Sequence, residues 1–192
     1  MTEKLFEILK GYGIVTDLSR KLFLEKTTII ELTKNTDILL EGEKNNSEYI
    51  LISGVAHRYN ISDKGDMVTT GFYMSGAVIT PHFARTKEGK SIFSLQSLSD
   101  IHIAELTATE LDFLRYSNEE CFKFGQQVLE NELVRTFYNE VVFRSYNAKE
   151  RLLILRRQFP NLENLIPHNI IASYLGITNV SFSRLRAEIS RQ

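Results

Sequence analysis

The C-terminal segment from Ile166 to Arg186 has the pattern of two short helices joined by a tight turn. Apolar residues recur there at three- and four-residue intervals up to Leu175, which is the spacing of one buried helical face. Gly176 follows at once, where a left-handed helix end is needed, and Thr178 can cap a second helix. The segment therefore predicts a helix-turn-helix, which occurs in DNA-binding proteins and also as a plain two-helix corner in other helical proteins.

The second of these helices is predicted to bury Phe182, Leu185 and Ile189 and to present polar side chains on its outer face. Amide, hydroxyl and guanidinium groups on one exposed helix are the groups that major-groove readers use. Two residues at the start of the first helix complete the expected DNA-binding set. This set is His168, Asn169, Thr178, Asn179, Val180, Ser181, Ser183, Arg184 and Arg186.

The charge of the chain is unevenly distributed. The 192 residues have a formal net charge of −1, but the part from Lys149 to Gln192 carries +4 and the remainder −5. A positive terminal segment suits contact with a polyanion such as nucleic acid. Ordinary solvation of a helical surface gives a similar imbalance, so both interpretations stay open at this point.

The composition excludes several classes of protein. Hydrophobic residues make up 43% and charged residues 24%, as in ordinary soluble globular proteins, and no apolar run is long enough to cross a bilayer. The N-terminus lacks the layout of a secretion signal. The single cysteine, Cys121, cannot form an internal disulfide, which favours a reducing cytoplasm and a packing role for this thiol.

Residues 27–114 alternate short strand-forming runs with polar turns, which predicts an antiparallel sandwich or barrel. The longest interruption, residues 75–90, is expected to be a loop, and long loops on barrels often carry a binding site. The predicted strands are Thr28–Leu32, Asp37–Leu40, Tyr49–Ile52, Val55–Ile61, Met67–Tyr73, Ser91–Leu98 and Ile101–Leu106.

Residues 118–144 show a helical period with two adjacent apolar stripes. One stripe would suffice to pack against the barrel, so the second predicts a helix that is buried on two sides. A second subunit is the natural partner, although one chain could bury both stripes itself. The expected dimer interface is Phe122, Leu129, Leu133, Phe137 and Val141, beside a second stripe of Val134, Tyr138 and Val142.

Three segments in this order resemble the cyclic-AMP receptor protein and fumarate–nitrate reduction regulator (Crp/Fnr) family of bacterial transcription factors. They are residues 37–54, with their two glycine turns, residues 147–152 and residues 171–178, the last in the form seen in members from the Bacteroidetes. The resemblance covers nearly the whole chain and implies an α+β fold. Residues 1–117 would form a sensor β-roll like the jelly roll of cyclic-nucleotide-binding domains, with an N-terminal helix. Residues 118–146 would form the dimerisation helix and hinge, and residues 147–192 the DNA-binding domain with its helix-turn-helix.

The family resemblance implies a homodimeric, sequence-specific DNA-binding transcription regulator without catalytic activity. Its expected partners are double-stranded DNA and RNA polymerase, and it has no membrane partner. Matching the recognition helix makes Asn179, Val180 and Arg184 candidates for base contact, and Thr178 and Ser181 candidates for phosphate contact. Val180 stands where cyclic-AMP-responsive members carry an acid, which implies a different operator.

The resemblance also places an effector pocket at Gly76, Ala77, Lys90 and Ser91. The family's cyclic-nucleotide pocket uses a Gly-Glu pair for the ribose hydroxyl and an Arg-Ser or Arg-Thr pair for the phosphate. Here the glutamate and the arginine are both missing, and a buried cyclic phosphate would lose its bidentate partner. We therefore expect that cyclic AMP is not the effector and that any effector is another small molecule.

No cofactor and no metal site are expected from the sequence. An iron–sulfur cluster needs about four thiolates, and the histidines that could bind haem, His57, His82 and His102, lie in no supporting motif. Two alternatives stay open: a cupin-type metal-binding barrel, for which these histidines are too dispersed, and a small-molecule-binding β-roll that acts through protein contacts. The sequence does not fix the operator, the effector or the direction of regulation.

Overall fold

The computed structural model describes residues 1–191. Two helices, α1 (Thr2–Gly11) and α2 (Asp17–Glu25), precede a β-roll. The strands of the roll are β1 (Thr28–Leu32), β2 (Asp37–Leu39), β3 (Ser47–Ser53), β4 (Val55–Ile61), β5 (Met67–Met74), β6 (Thr86–Lys87), β7 (Lys90–Ser91), β8 (Ser94–Ser97) and β9 (Ile101–Thr107). The remaining helices are α3 (His82–Arg85), α4 (Ala108–Ser117), α5 (Glu119–Ser145), α6 (Ala148–Gln158), α7 (Leu162–Leu165), α8 (His168–Leu175) and α9 (Asn179–Ile189).

The strands of the roll pair antiparallel throughout the described residues. One sheet has the order β1-β9-β3, a second has the order β2-β8-β4-β5, and β6 and β7 form a separate hairpin. Both larger sheets contribute to one apolar cluster, to which β3 gives Leu51, β8 gives Leu95 and β9 gives Ile103. The predicted α+β fold with an antiparallel β-roll is thereby confirmed.

Gly54 makes the tight connection between β3 and β4 possible. Its φ is +90°, and a Cβ atom at this position would lie 2.5 Å from the backbone oxygen of Asp100. Only glycine satisfies both constraints, since it has no side chain and tolerates a left-handed backbone. The strand ends on either side of this turn are therefore fixed by the sequence.

The roll differs from expectation at its end and in its long loop. Residues 108–117 form α4 rather than a continuation of the roll, and the Thr107 side chain caps this helix in a reciprocal capping box with Glu110. The predicted strand Ser91–Leu98 is wrong in its continuity, because the chain forms β7 and β8 with a break between them. The expected loop of residues 75–90 contains α3 and β6.

The long helix α5 begins at Glu119, close to residue 118, where the sequence predicts the start of a helix. The Asn118 side chain accepts a hydrogen bond from the amide of Cys121 at 3.0 Å, so it caps the helix. Cys121 is fully buried, and burial raises the pKa of its thiol to about 11. The predicted packing role of this cysteine is confirmed. On the same side of α5, Phe124 meets Phe23 of α2 edge to face at 5.4 Å.

The C-terminal helices pack against the roll. Asn147 and Glu150 form the capping box that opens α6. Val55, Phe72 and Leu98 of the roll share one apolar cluster with side chains of α6, α8 and α9. In the part of the chain that the structure describes, no helix combines the length and the apolar character needed to cross a lipid bilayer.

Candidate nucleic-acid interface

The turn between α8 and α9 has the predicted geometry. Gly176 adopts φ +67° and ends α8 in the left-handed conformation, while the amide of Ile177 bonds back to the carbonyl of Ala172 at 3.0 Å. Thr178 then opens α9, because its Oγ1 accepts a hydrogen bond from the amide of Ser181 at 3.2 Å. These contacts confirm the helix–turn–helix geometry that the sequence predicts.

The inner face of α9 fixes the helix against the rest of the C-terminal unit. Phe182 is fully buried, and Leu185 and Ile189 pack partly buried against the same cluster. His168 of α8 meets the Phe182 ring edge to face at 5.4 Å. The predicted buried face of the helix is therefore confirmed, and the opposite face is left to solvent.

The outer face of α9 carries a row of four exposed residues: Asn179, Val180, Ser183 and Arg184. Within residues 1–191, none of the polar side chains among them makes a hydrogen bond or an ion pair. We call these four residues the α9 outer row. An amide, a hydroxyl and a guanidinium without hydrogen-bond partners in the described residues thus project from one helix, together with one apolar side chain.

Arg186, which also belongs to the expected DNA-binding set, is held inside the domain. Its Nε lies 2.8 Å from Glu163 Oε2, and its Nη1 lies 3.3 Å from Nδ1 of His168. Arg156 of α6 binds the same carboxylate, with its Nη2 3.1 Å from Glu163 Oε2. Burial alone would raise the pKa of Glu163, but its bonds to Arg156 and Arg186 lower it below the ordinary value. The cluster ties α6, α7 and α9 together around one carboxylate.

Some of the remaining members of the expected DNA-binding set make hydrogen bonds within the C-terminal helices. Thr178 donates from Oγ1 to Ser181 Oγ at 3.0 Å in addition to capping α9. His168 pairs its Nε2 with the carbonyl of Glu163 at 3.1 Å. Asn169 is exposed in the first turn of α8. Thr178 and His168 thus also hold the local fold, unlike the α9 outer row.

The helix-turn-helix is anchored to the edge strand β5. Ser173 of α8 accepts a hydrogen bond from the amide of Thr69 and donates one to the carbonyl of Met67, both at 3.0 Å. Tyr174, the next residue, lies 5.0 Å from the Phe72 ring. These contacts fix the orientation of α8 on the roll within one chain.

Most residues of the two apolar stripes of α5 are exposed in the single chain. The five residues of the expected dimer interface are each 42–60% exposed, and Val134 and Tyr138 are exposed beside them. Only Val142 is buried. The interpretation in which one chain buries both stripes itself is therefore wrong. We call the exposed residues Phe122, Leu129, Leu133, Val134, Phe137, Tyr138 and Val141 the α5 apolar face.

The four residues of the expected effector pocket lie at two separate places in the roll. Gly76 and Ala77 pair with β3 through the amide and carbonyl of Leu51. Ser91 instead pairs with the turn at Gly42 and Glu43, and the exposed Lys90 precedes it in β7. None of the four expected residues lines the cavity that the roll forms with α5.

That cavity, of about 640 Å³, lies between β4, the segment that includes α3, and α5. Its polar lining includes Arg58, Thr80 and Glu132, and Arg135 stands one helical turn after Glu132. We call these four residues the roll–helix ion cluster. These residues were not predicted from the sequence, although Glu132 and Arg135 are charges spaced i, i+3 within a helix of apolar stripes.

The histidines of the roll do not form a ligand set. His57 is buried, and desolvation lowers the pKa of its imidazole to about 4. Among the described residues, no three His, Cys, Asp or Glu side chains come close enough together to hold a metal ion.

The chain resembles known proteins in sequence and in fold. No protein-family model matches the chain. Over 165 residues, or 80% of its length, it is 25% identical to electron transport regulator A of Shewanella oneidensis, and the match spans 65% of that protein. The structure of FixK2 from Bradyrhizobium japonicum superposes with a TM-score of 0.72 at 18% identity, covering 86% of this chain and 85% of the other.

A second similar structure is described by its Crp/Fnr family. It comes from Eubacterium rectale, is described as a transcriptional regulator of the Crp/Fnr family, and superposes with a TM-score of 0.69 at 13% identity over 92% of this chain and 84% of that one. The chain has the Crp/Fnr fold. The fold that the sequence resemblance implies is therefore confirmed. In this Crp/Fnr fold the α9 outer row lies on the second helix of the helix-turn-helix, and the α5 apolar face lies on the long central helix.

Proposed function

We propose that the protein is a sequence-specific, DNA-binding transcription regulator that acts as a homodimer in the cytoplasm and has no catalytic activity. The α9 outer row carries the proposal. An exposed helix that follows a glycine turn and offers an amide, a hydroxyl and a guanidinium without internal partners is suited to the major groove. RNA polymerase is a further proposed partner.

Within the row, Asn179, Val180 and Arg184 are proposed to contact bases. Arg184 can make the bidentate contact to guanine, Asn179 can bond adenine, and Val180 can touch a thymine methyl group. Thr178 and Ser181 are proposed to contact phosphates, and His168, Asn169, Ser183 and Arg186 to support this contact from the edges of the site.

The α5 apolar face supports the homodimer. Seven exposed apolar side chains on one helix form a surface that a second copy of the chain can cover. A two-fold dimer would place two α9 helices to read half-sites one DNA turn apart. We propose residues 1–117 as the sensor unit, 118–146 as the dimerisation helix and hinge, and 147–192 as the DNA-binding unit.

Selection of bound fragments from random duplexes tests the proposal, followed by titration of a labelled selected duplex. We expect enrichment of a two-fold symmetric sequence whose half-site centres lie about 10 base pairs apart. Binding should weaken as salt increases, because phosphate contacts release counterions. Recovery of no common sequence would overturn the sequence-specific function. If pulldown from the source cell then recovers a protein partner, a regulator that acts through protein contacts becomes the better account.

A further inference from the structure

The carboxylate of Glu132 is buried between the roll and α5, although it belongs to a helix with a largely exposed outer side. Its side chain is only 13% exposed. Oε1 accepts a hydrogen bond from Thr80 Oγ1 at 3.0 Å and lies 3.8 Å from Arg58 Nη1. Oε2 pairs with Arg135 Nη2. Each oxygen of this carboxylate is therefore paired, Oε1 with groups of the roll that line the cavity and Oε2 with Arg135 of the same helix.

The groups around this carboxylate are mutually supported. Thr80 Oγ1 lies 2.6 Å from the Tyr73 hydroxyl and accepts from Arg135 Nη2 at 2.9 Å. The Arg135 guanidinium lies over the Tyr73 ring, 4.9 Å from its centroid. Arg58 and Arg135 are 18% and 30% exposed, so both positive charges are partly desolvated. Two fixed guanidiniums and one fixed hydroxyl thus surround a single position for an oxyanion.

Without an anion between them, the two guanidiniums of Arg58 and Arg135 would destabilise the folded protein. Two partly buried guanidiniums repel each other and lose much of their hydration, and one buried carboxylate offsets both effects. Arg58 and Thr80 belong to the roll, while Glu132 and Arg135 belong to α5. The anion therefore joins the two parts of the protein as well as neutralising the site.

We propose that the roll–helix ion cluster is an oxyanion subsite whose resident ligand is the carboxylate of Glu132. The chain supplies its own anion and couples the roll to α5 without an external effector. Removal of Glu132 opens the subsite to small carboxylates and to inorganic phosphate. The consequence for DNA binding rests on the proposed function, whereas the anion site itself does not.

Chemical rescue of Glu132→Ala tests the proposal. We expect the melting temperature to fall by about 10 °C, because one partner of a partly buried ion cluster is lost. Sodium acetate or formate at 100 mM should restore at least half of this loss, while sodium chloride at the same ionic strength should not. The wild-type protein should show no difference between acetate and chloride.

The matched control is Glu130→Ala. Glu130 is exposed on the same helix and makes no ion pair within residues 1–191. We expect its melting temperature to change by less than 2 °C, with no specific response to acetate. An equal loss in both variants would show that helix propensity, rather than the ion cluster, causes the effect, and it would overturn the proposal.

Glu132→Ser provides a second readout if the alanine variant does not fold. The short polar side chain removes the charge that neutralises Arg58 and Arg135 and leaves the position of the carboxylate open to an anion. Isothermal titration with inorganic phosphate should then show binding at least tenfold tighter than to the wild-type protein. Equal phosphate affinity in the two proteins, or destabilisation of Glu132→Ala without rescue by acetate or formate, would contradict the resident-ligand assignment.

The consequence for regulation is measured separately. DNA affinity of Glu132→Ala should fall and should recover with acetate in parallel with the melting temperature. Rescue of stability without rescue of DNA affinity would overturn the coupling while leaving the anion subsite in place. Failure of the wild-type protein to bind any duplex would instead count against the proposed function, since the thermal and phosphate measurements contain no DNA.

Discussion

The α9 outer row and the roll–helix ion cluster both contain arginine, but the protein treats these arginines differently. Arg184 projects from α9 without a carboxylate partner in the described part of the chain, whereas Arg58 and Arg135 share the carboxylate of Glu132. A guanidinium without an internal counter-charge is free to meet an external anion such as a phosphate or a guanine edge. Guanidiniums that are already neutralised can instead join parts of the fold. Position within the structure, rather than residue type, separates these two uses.

The largest expected effect comes from breaking the proposed homodimer, which brings two copies of the α9 outer row to the DNA. Phe137→Asp places a charge in the α5 apolar face, where it has no partner if a second copy covers this face. We expect a monomer by analytical ultracentrifugation and a loss of operator affinity of at least about 100-fold, because the two half-sites no longer act together.

The control for this variant is Tyr116→Asp, a change at a strongly exposed aromatic residue on α4. It should leave the mass and the affinity unchanged. A Phe137→Asp protein that remains dimeric and binds the operator normally would remove the α5 apolar face from the account.

A second test concerns His57, a buried histidine of the roll. His57 has its pKa lowered from 6.5 to about 4 by burial, so the unfolded chain binds a proton in this interval and the folded chain does not. This contribution to stability is complete above pH 6.5 and declines as pH falls to 4. We expect a loss of about 3 kcal/mol from this group alone.

Urea unfolding at pH 7 and pH 4.5 measures this loss. In His57→Gln the pH dependence should be smaller than in the wild-type protein by most of that amount. His82→Gln, at a partly exposed histidine, is the comparison variant and should retain the wild-type dependence. If His57→Gln and wild type lose the same stability on acidification, His57 does not carry the effect.

A third test separates the two arginines of α9 itself. Arg184→Ala should weaken operator binding by about 1–3 kcal/mol with little change in the free energy of unfolding, because the Arg184 side chain is exposed and makes no hydrogen bond or ion pair within residues 1–191. Arg186→Ala should lower the free energy of unfolding by about 1 kcal/mol, since it removes a partner of Glu163.

Arg157→Ala removes the same charge from an exposed position on α6 and serves as the control for net charge. Fluorescence anisotropy and urea unfolding of the three variants give the comparison. Equal affinity losses for Arg184→Ala and Arg157→Ala would mean that Arg184 contributes only general electrostatic attraction. Loss of stability in Arg184→Ala would show an internal role that the structure does not contain.

The smallest effect is expected at the turn that presents the row. Gly176→Ala should cost about 1 kcal/mol of stability, since a Cβ at φ +67° is strained although no atom lies within 4 Å of it. Gly11→Ala is the matched variant, because Gly11 is helical, equally open and not at positive φ. Thermal unfolding should show destabilisation for the first and none for the second. The reverse order would contradict the turn geometry.

The sequence predicted those features that depend on local pattern. The Gly176 turn, the Thr178 cap and the apolar face of α5 each follow from residues within a few positions of one another. The roll–helix ion cluster could not be predicted in this way. Arg58, Thr80 and Glu132 lie in distant parts of the chain, and only the folding of α5 onto the roll brings them together. The break between β7 and β8 likewise depends on pairing with β6 and with the turn at Gly42.

The salt dependence of operator binding tests the central claim most directly, that α9 is a groove-reading helix presented by a dimer. Affinity for a selected duplex, measured from 50 to 300 mM salt, should fall linearly on a double-logarithmic plot with a slope that reflects several phosphate contacts. Arg184→Ala should lie below the wild-type line at every salt concentration for the selected sequence. It should coincide with the wild-type line for a scrambled duplex. Absence of binding to either duplex at 50 mM salt would contradict the account.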